Sequence, residues 1–296
     1  MTTDAHFFKC LICGCIQVEV LDTAWKCKEC SNRYLLIEEI PILVRDWGKH
    51  EEELQEARRV NPGWYDREQL DEAINPWRHH LKKRRRYVER SIAQYLHATG
   101  QRQAKTLLDM GCGDGNNLEY LRKYTEGLFG SDYNLIRLLR ARSRQYGITL
   151  FLADILDYPV RDDFFDIIFF NHVIEHIPDD AKALETVFRI LKPKGLLVLG
   201  TPNEGVWWWQ LAYRLQPETL KNTDHLHFYT AEMLSAKLVS KGFKLIEIQH
   251  MGWGPPHWSI DRGIRRFKVM DDFFEYMGRL FFPYQASSLY ILATKE

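Results

Sequence analysis

The sequence predicts an α/β fold, a mostly parallel sheet with helices on both faces, preceded by a small cysteine-held module. Two observations predict the sheet. From Thr106 onward, short apolar runs alternate with longer amphipathic segments, the texture of buried parallel strands joined by helical crossovers. A loop rich in glycine, Gly111-Cys112-Gly113-Asp114-Gly115, follows the first run and precedes a helix-like segment, Asn117 to Lys123. Open α/β sheets bind ligands at such a turn. The module is predicted by the cysteines: four of the six form two C-x-x-C pairs, Cys10 with Cys13 and Cys27 with Cys30.

Taken in order, residues 1–45 hold the cysteine pairs, with thirteen residues between them, and end in an apolar strand, turn and second apolar run from Tyr34 to Val44. Four thiolates so spaced can close a tetrahedral zinc site and stabilise a segment too short for an apolar core of its own. A closed site has no open coordination position, so the zinc is expected to be structural. Cys15 is surplus and reads as a small buried hydrophobe. Residues 46–100 are highly charged and helical in pattern, broken at Asn61-Pro62-Gly63 and Asn75-Pro76, and read as a connector packed on the main domain. Residues 101–296 carry the strand candidates Thr106 to Met110, Leu128 to Asp132, Thr149 to Ala153, Phe165 to Phe170 and Leu196 to Gly200. Helices are expected over Leu135 to Tyr146 and Ala181 to Leu191, the latter stopped by Lys192-Pro193-Lys194-Gly195. Phe243 to Ile248 and Ser288 to Thr294 suit an antiparallel edge hairpin, and insertions fall at about 203–229 and 251–286.

Lysine plus arginine and aspartate plus glutamate both total 40, so no net charge steers the whole chain toward nucleic acid or acidic lipid. No segment reaches the ~18 apolar residues of a spanning helix, and no basic-then-apolar leader opens the chain. The chain therefore reads as cytoplasmic. Clustered cysteines argue against a secreted disulfide framework.

The loop's chemistry narrows its ligand. A dinucleotide fingerprint needs glycine where this chain has Asn116, and a pyrophosphate would meet the carboxylate of Asp109. That carboxylate suits the ammonium and sulfonium of S-adenosylmethionine instead. Asp132 ends the second strand at the distance where an acid reaches ribose hydroxyls, and Asp154 follows the third, placed to accept from an adenine amino group. Asn171 and His172 end the fourth. An aspartate after a strand is also a common cap or turn residue, and each position carries that second reading.

In order, the loop motif, Ser131-Asp132-Tyr133, Ala153-Asp154, Phe165-Asp166-Ile167-Ile168, Glu175-His176-Ile177-Pro178-Asp179 and Leu191-Lys192-Pro193-Lys194-Gly195-Leu196 resemble class I S-adenosylmethionine-dependent methyltransferases. The resemblance runs from about Thr106 to Phe243. It implies a Rossmann-like sheet of seven strands with the last antiparallel. It also implies a cofactor site of Asp109, Gly111, Cys112, Gly113, Gly115, Asn116, Asp132, Tyr133, Asp154, Ile155, Asn171 and His172. The first forty-odd residues resemble the zinc ribbon that leads bacterial rRNA guanine methyltransferases, and the small zinc-ribbon proteins that activate other methyltransferases.

Methyl transfer to a hydroxyl requires alignment of the acceptor and removal of its proton, for which histidine is the default base. His172, His176, His225 and His227 are the candidates. The segment Thr223 to Thr230 resembles one that overhangs the active site of ubiquinone-biosynthesis-like O-methyltransferases, which puts His225 first and His227 second; His176 belongs to the family's Glu-His pair and is a candidate architectural residue. Consecutive tryptophans at 207–209 point in different helical directions, so some are expected to be exposed. With the aromatic stretch 273–282 they suggest a lid over a small-molecule, glycan or lipid-linked acceptor, with peripheral membrane contact through 206–213 and 273–282. The runner-up is RNA base methylation, drawn from the ribbon and the basic run Arg78 to Arg90. Asn171-His172-Val173-Ile174 lacks the Asn/Asp-Pro-Pro-aromatic pattern of adenine N6 chemistry. A third reading is a catalytically silent scaffold that binds a protein partner through its ribbon.

Overall fold

The computed structural model describes residues 5–144, 147–215, 225–255 and 258–296. Tyr146, Thr223 and Asp224, and residues 216–222 of the first expected insertion, lie outside the described residues. The sheets are two. A four-stranded antiparallel sheet comprises β1 (Val18–Val20), β2 (Ala24–Cys27), β3 (Arg33–Ile37) and β4 (Ile40–Pro41) in sequential order. A seven-stranded sheet follows, built from β5 (Ala104–Met110), β6 (Thr125–Asp132), β7 (Thr149–Leu152), β8 (Phe165–Asn171), β9 (Leu191–Pro202), β10 (Phe243–Met251) and β11 (Ser288–Lys295). Its order is β10-β11-β9-β8-β5-β6-β7. β5, β6 and β7 run parallel, and β11 is antiparallel to both of its neighbours, β9 and β10. The last strand thus lies inside the sheet and β10 forms the edge.

The chain divides into two compact units whose boundaries pass through β8, the helix after it and β9. The first comprises residues 1–69, 101–169 and 185–195. It contains α1 (Trp47–Val60), whose N-cap Asp46 accepts from the Lys49 amide at 3.1 Å, the short α2 (Pro62–Tyr65), α4 (Leu118–Leu121) and α5 (Leu135–Arg144). The cysteine module does not bury a core alone. Phe8 packs edge-on against Trp25 and Tyr34, while the Phe7 ring lies 4.7 Å from Phe151 of β7 and 5.6 Å from Phe129 of β6. Backbone bonds continue the junction: Lys9 donates to the Pro159 carbonyl at 2.8 Å and Leu43 to that of Leu152 at 2.9 Å. Isolated bridges pair Phe8 with Val160 and Ile42 with Leu152. A segment too small to exclude water from its own centre shares the core of its neighbour.

The second unit comprises residues 70–100, 170–184 and 196–296. Its elements include α3 (Arg78–Ala98), α7 (Trp207–Leu215), α8 (Ala231–Ser240), α9 (Trp258–Ile264) and α10 (Lys268–Phe281). The basic run is part of α3, and its middle is paired: Lys83 meets Asp271 at 2.6 Å and Asp272 at 3.0 Å, and Arg84 Nε donates to the Tyr290 hydroxyl at 2.9 Å. Between the units' segments, α6 (Asp180–Ile190) ends where expected. The Lys192-Pro193-Lys194-Gly195 segment then behaves differently: it is already extended and belongs to β9, with Lys194 at φ 65° as its one left-handed residue.

Candidate active site

In the first unit, three parallel strands end in the expected acids. Asp109 is the penultimate residue of β5 and is 1% exposed. Its Oδ2 has no hydrogen-bond partner among the described residues. Burial, the neighbouring Asp132 charge opposed only by a bond from Asn117, pushes its carboxyl up to about 8. A buried, half-satisfied carboxylate beside a second carboxylate is an incomplete arrangement that a ligand cation would complete. Gly111, Gly113 and Gly115 all have left-handed φ. At Gly113 a side chain would meet the Gln69 amide at 2.8 Å, and at Gly115 it would meet Ala141 Cβ at 2.9 Å. The first leaves room for the Gln69 side chain; the second lets α5 close on the loop. The buried carboxylate of Asp109, with one oxygen unmet, fits the cations of S-adenosylmethionine.

Asp132 and Asp154 both serve as turn or cap residues, the second of their expected readings. Asp132 accepts from the Gly113 amide at 2.8 Å and from the Asn134 amide at 2.9 Å, so it also ties β6 to the loop. Asp154 accepts from the Leu156 amide at 2.8 Å and caps the 3₁₀ turn Ile155–Asp157. Asn116 accepts from Arg144 at 2.8 Å, and Cys112 is buried, its amide bonded to the Ser131 carbonyl. Tyr133 is held from α1: its hydroxyl donates to Glu53 at 2.8 Å and its carbonyl lies 3.0 Å from His50 Nε2. The stretch 46–100 is expected to be helical and packed on the main domain, but nothing singles out Gln69: its backbone amide donates to Asp114 at 2.6 Å and its side chain lies over Gly113.

The four paired cysteines converge. Cys10 and Cys30 sulfurs lie 3.7 Å apart, Cys13 and Cys27 sulfurs 3.6 Å, and all four ligand atoms fall within 4.8 Å of one another. Four thiolates about 2.3 Å from one zinc ion stand about 3.8 Å apart in a tetrahedron, so the module fits a structural zinc. Cys15 stays out of the cluster, but it is half-buried rather than buried, and its sulfur meets the Gln17 amide.

In the second unit, Asn171 and His172 follow one another at the end of β8, with His172 at φ 55°. Arg84 from α3 reaches both: Nη2 donates to Asn171 Oδ1 at 3.4 Å and contacts His172 Nε2. Burial and the Arg84 charge hold the His172 imidazole below its ordinary value, hence neutral. Glu175 and His176 lie in a 3₁₀ turn, Ile174–His176. The buried Glu175 organises the neighbourhood: its carbonyl accepts from the Leu226 and His227 amides, and Oε2 accepts from Thr201 at 3.1 Å. That places His225 beside His176, their ring centroids 5.1 Å apart. His227 Nε2 donates to the Ile177 carbonyl at 2.9 Å and so fastens this loop. Arg84, part of the basic run, turns to Asn171 and His172, and Glu175, visible in its Glu-His motif, is the residue around which the loop is held.

The chain belongs to the family whose model is described as a methyltransferase domain, which matches residues 80–248. Among similar proteins are a Mycobacterium tuberculosis chain named a probable S-adenosylmethionine-dependent methyltransferase, 26% identical over 51% of this chain and 53% of its own, and the malonyl-[acyl-carrier protein] O-methyltransferase of Pseudescherichia vulneris, 30% identical over 40% and 47%. The chain spans about half the length of the curated relatives it matches. A chain from the solved complex of the Haloferax volcanii Trm112 methyltransferase activator with a methyltransferase shares the fold, with TM-score 0.53 and 18% identity over 82% of this chain and 96% of its own.

Proposed function

We propose that the protein transfers a methyl group from S-adenosylmethionine to a hydroxyl of a small-molecule, glycan or lipid-linked acceptor. The observation that carries the hydroxyl is the grouping of His176 and His225 around the buried Glu175, all three ligand-capable atoms lying within 4.8 Å. The cofactor supplies a methyl carbon already activated by its sulfonium. In this reading Asp109, Asp132, Asp154 and the glycine loop hold the donor, while the Glu175 cluster orients the acceptor and promotes loss of its proton, with His225 foremost. His227, tied to backbone, positions the loop.

An apolar acceptor is supported by two exposed stripes of the second unit. On α7 they are Trp207, Leu211 and Leu215; on α10 they are Val269, Phe273, Tyr276 and Leu280, spaced at helical intervals on one side. Among the described residues no helix is long and apolar enough to cross a membrane, so such contact would be peripheral. The pairing of Lys83 and Arg84 inside the unit weakens the RNA reading.

The test is methyl transfer to a panel of hydroxyl acceptors, with His225→Ala run alongside. Turnover should fall at least about 100-fold, the usual scale of a lost acid–base group, while S-adenosylhomocysteine still binds. Undiminished turnover would remove the cluster from the chemistry. Co-sedimentation with vesicles containing anionic lipid, lost in the Trp207→Glu, Tyr276→Glu double variant, tests the apolar stripes.

A further inference from the structure

The geometry points to a divalent metal ion held by Glu175, His176 and His225, through which the cluster acts on the acceptor oxygen. The inference rests on the reading that this cluster faces the acceptor, and it changes what the imidazoles do there.

The three residues offer one carboxylate oxygen and two imidazole nitrogens. Ligands about 2.1 Å from one ion stand about 3.4 Å apart in a tetrahedron; His176 Nε2 lies 3.9 Å from Glu175 Oε1 and all three ligand atoms lie within 4.8 Å, so side-chain movement of up to about an ångström closes the site. The carboxylate is prepared for it. Glu175 is 1% exposed, Thr201 donates to Oε2 at 3.1 Å, and His172 Nδ1 lies 3.2 Å from Oε1, which leaves lone pairs of both oxygens to a cation. A carboxylate buried from water is favoured as the charged form when a cation meets it. The outer residues also suit a metal: His225 Nδ1 lies 3.8 Å from the buried Glu204. Carboxylates commonly stand behind metal-bound imidazoles in this way. Arg84 at His172 Nε2 keeps that neighbouring ring oriented without making it a ligand.

Three protein ligands leave open positions, unlike the closed cysteine site. Two imidazoles and a carboxylate suit a first-row divalent cation such as manganese, iron or zinc. An acceptor hydroxyl on such an ion loses its proton near neutral pH. In the transfer the O–CH3 bond forms as the S–CH3 bond breaks; sulfur keeps the bonding pair as a thioether, and the hydroxyl proton leaves to water.

Manganese is the probe, because thiolate sites discriminate against it. Full-length protein, its ribbon zinc retained after dialysis against a weak chelator, is titrated with Mn2+ by electron paramagnetic resonance. One Mn2+ per chain is expected, with affinity weakened at least tenfold in both Glu175→Gln and His225→Ala, and unchanged in His250→Ala, whose ring packs on Tyr284 away from the cluster. Retained zinc and S-adenosylhomocysteine binding show that the variants are folded. Added Mn2+ should raise methyl transfer in the wild type and not in Glu175→Gln. No Mn2+ binding in a wild-type protein that binds S-adenosylhomocysteine would overturn the metal while leaving the methyltransferase reading intact. Binding unaltered by both variants would overturn it equally, and His225 would then act as the base itself.

Discussion

Replacing Asp109 by asparagine separates what this carboxyl costs the fold from what it gives the cofactor. The group has an ordinary value of 3.8 and stands at about 8 in the folded chain, raised by burial and by Asp132. An acid raised on folding makes the native state the tighter proton binder, so its contribution to stability is greatest below about pH 4 and declines as pH rises toward 8. At pH 7 the penalty spans about three pH units, at most ~4 kcal/mol at 1.36 kcal/mol per unit. Asp109→Asn removes the titration and keeps the shape. Denaturant unfolding should show the wild type losing stability from pH 5 to 8 and the variant nearly flat, the variant being the more stable at pH 7. Cofactor binding should move the other way. The ammonium and sulfonium favour the carboxylate, so at pH 7 binding releases about one proton, and affinity rises up to tenfold per unit between pH 6 and 7 before levelling above 8. Calorimetry in two buffers of different ionisation enthalpy reads that proton directly, and Asp109→Asn should bind at least about 100-fold more weakly, the loss of one buried charge pair. Buffer-independent binding, flat from pH 6 to 8, would refute the assignment of Asp109 to the cofactor's cations.

Metal analysis should find one zinc per chain in the ribbon, and Cys27→Ser should lose it together with the native fluorescence of the buried Trp25, since ion binding and folding of such a module are one event. Gly115→Ala places Cβ 2.9 Å from Ala141 Cβ at φ 82°, so unfolding should lose about 2–3 kcal/mol, read by denaturant titration. Arg84→Met leaves Tyr290, Asn171 and His172 without their shared donor and should lower stability by about 1–3 kcal/mol; an unchanged midpoint would show that the contact is dispensable.

Much of this was legible because strand ends and turns leave local marks. Asp109, Asp132 and Asp154 follow runs whose apolar residues must be buried, and the glycines at 111, 113 and 115 sit where the backbone is left-handed. Asp166, within a family motif, has an architectural duty: it accepts from the Thr106 amide at 2.9 Å and from Lys192 at 2.8 Å. Tertiary reach leaves no such mark. Nothing near Gln69 announces that it covers Gly113, and nothing in a basic helix says that Arg84 turns inward to His172. The strand β9 begins at Leu191 because the segment after α6 is pulled into extended pairing despite its turn-forming residues. Glu175 was visible in its motif, but its importance lies in two backbone bonds to residues fifty positions away.

The ribbon's attachment has a consequence for the sheet it joins. β7 ends the order of seven strands, and a terminal strand presents unpaired amides and carbonyls that recruit other chains. Ile42 and Leu43 lie along Leu152, and Phe8 along Val160, so the ribbon occupies the place where a stranger's strand would add. A cover supplied by the same polypeptide acts at the high effective concentration of a tether and does not depend on meeting a partner. Loss of zinc would therefore do more than unfold forty residues: it would uncover a sticky border, and aggregation, more than lost catalysis, would be the first sign of metal starvation.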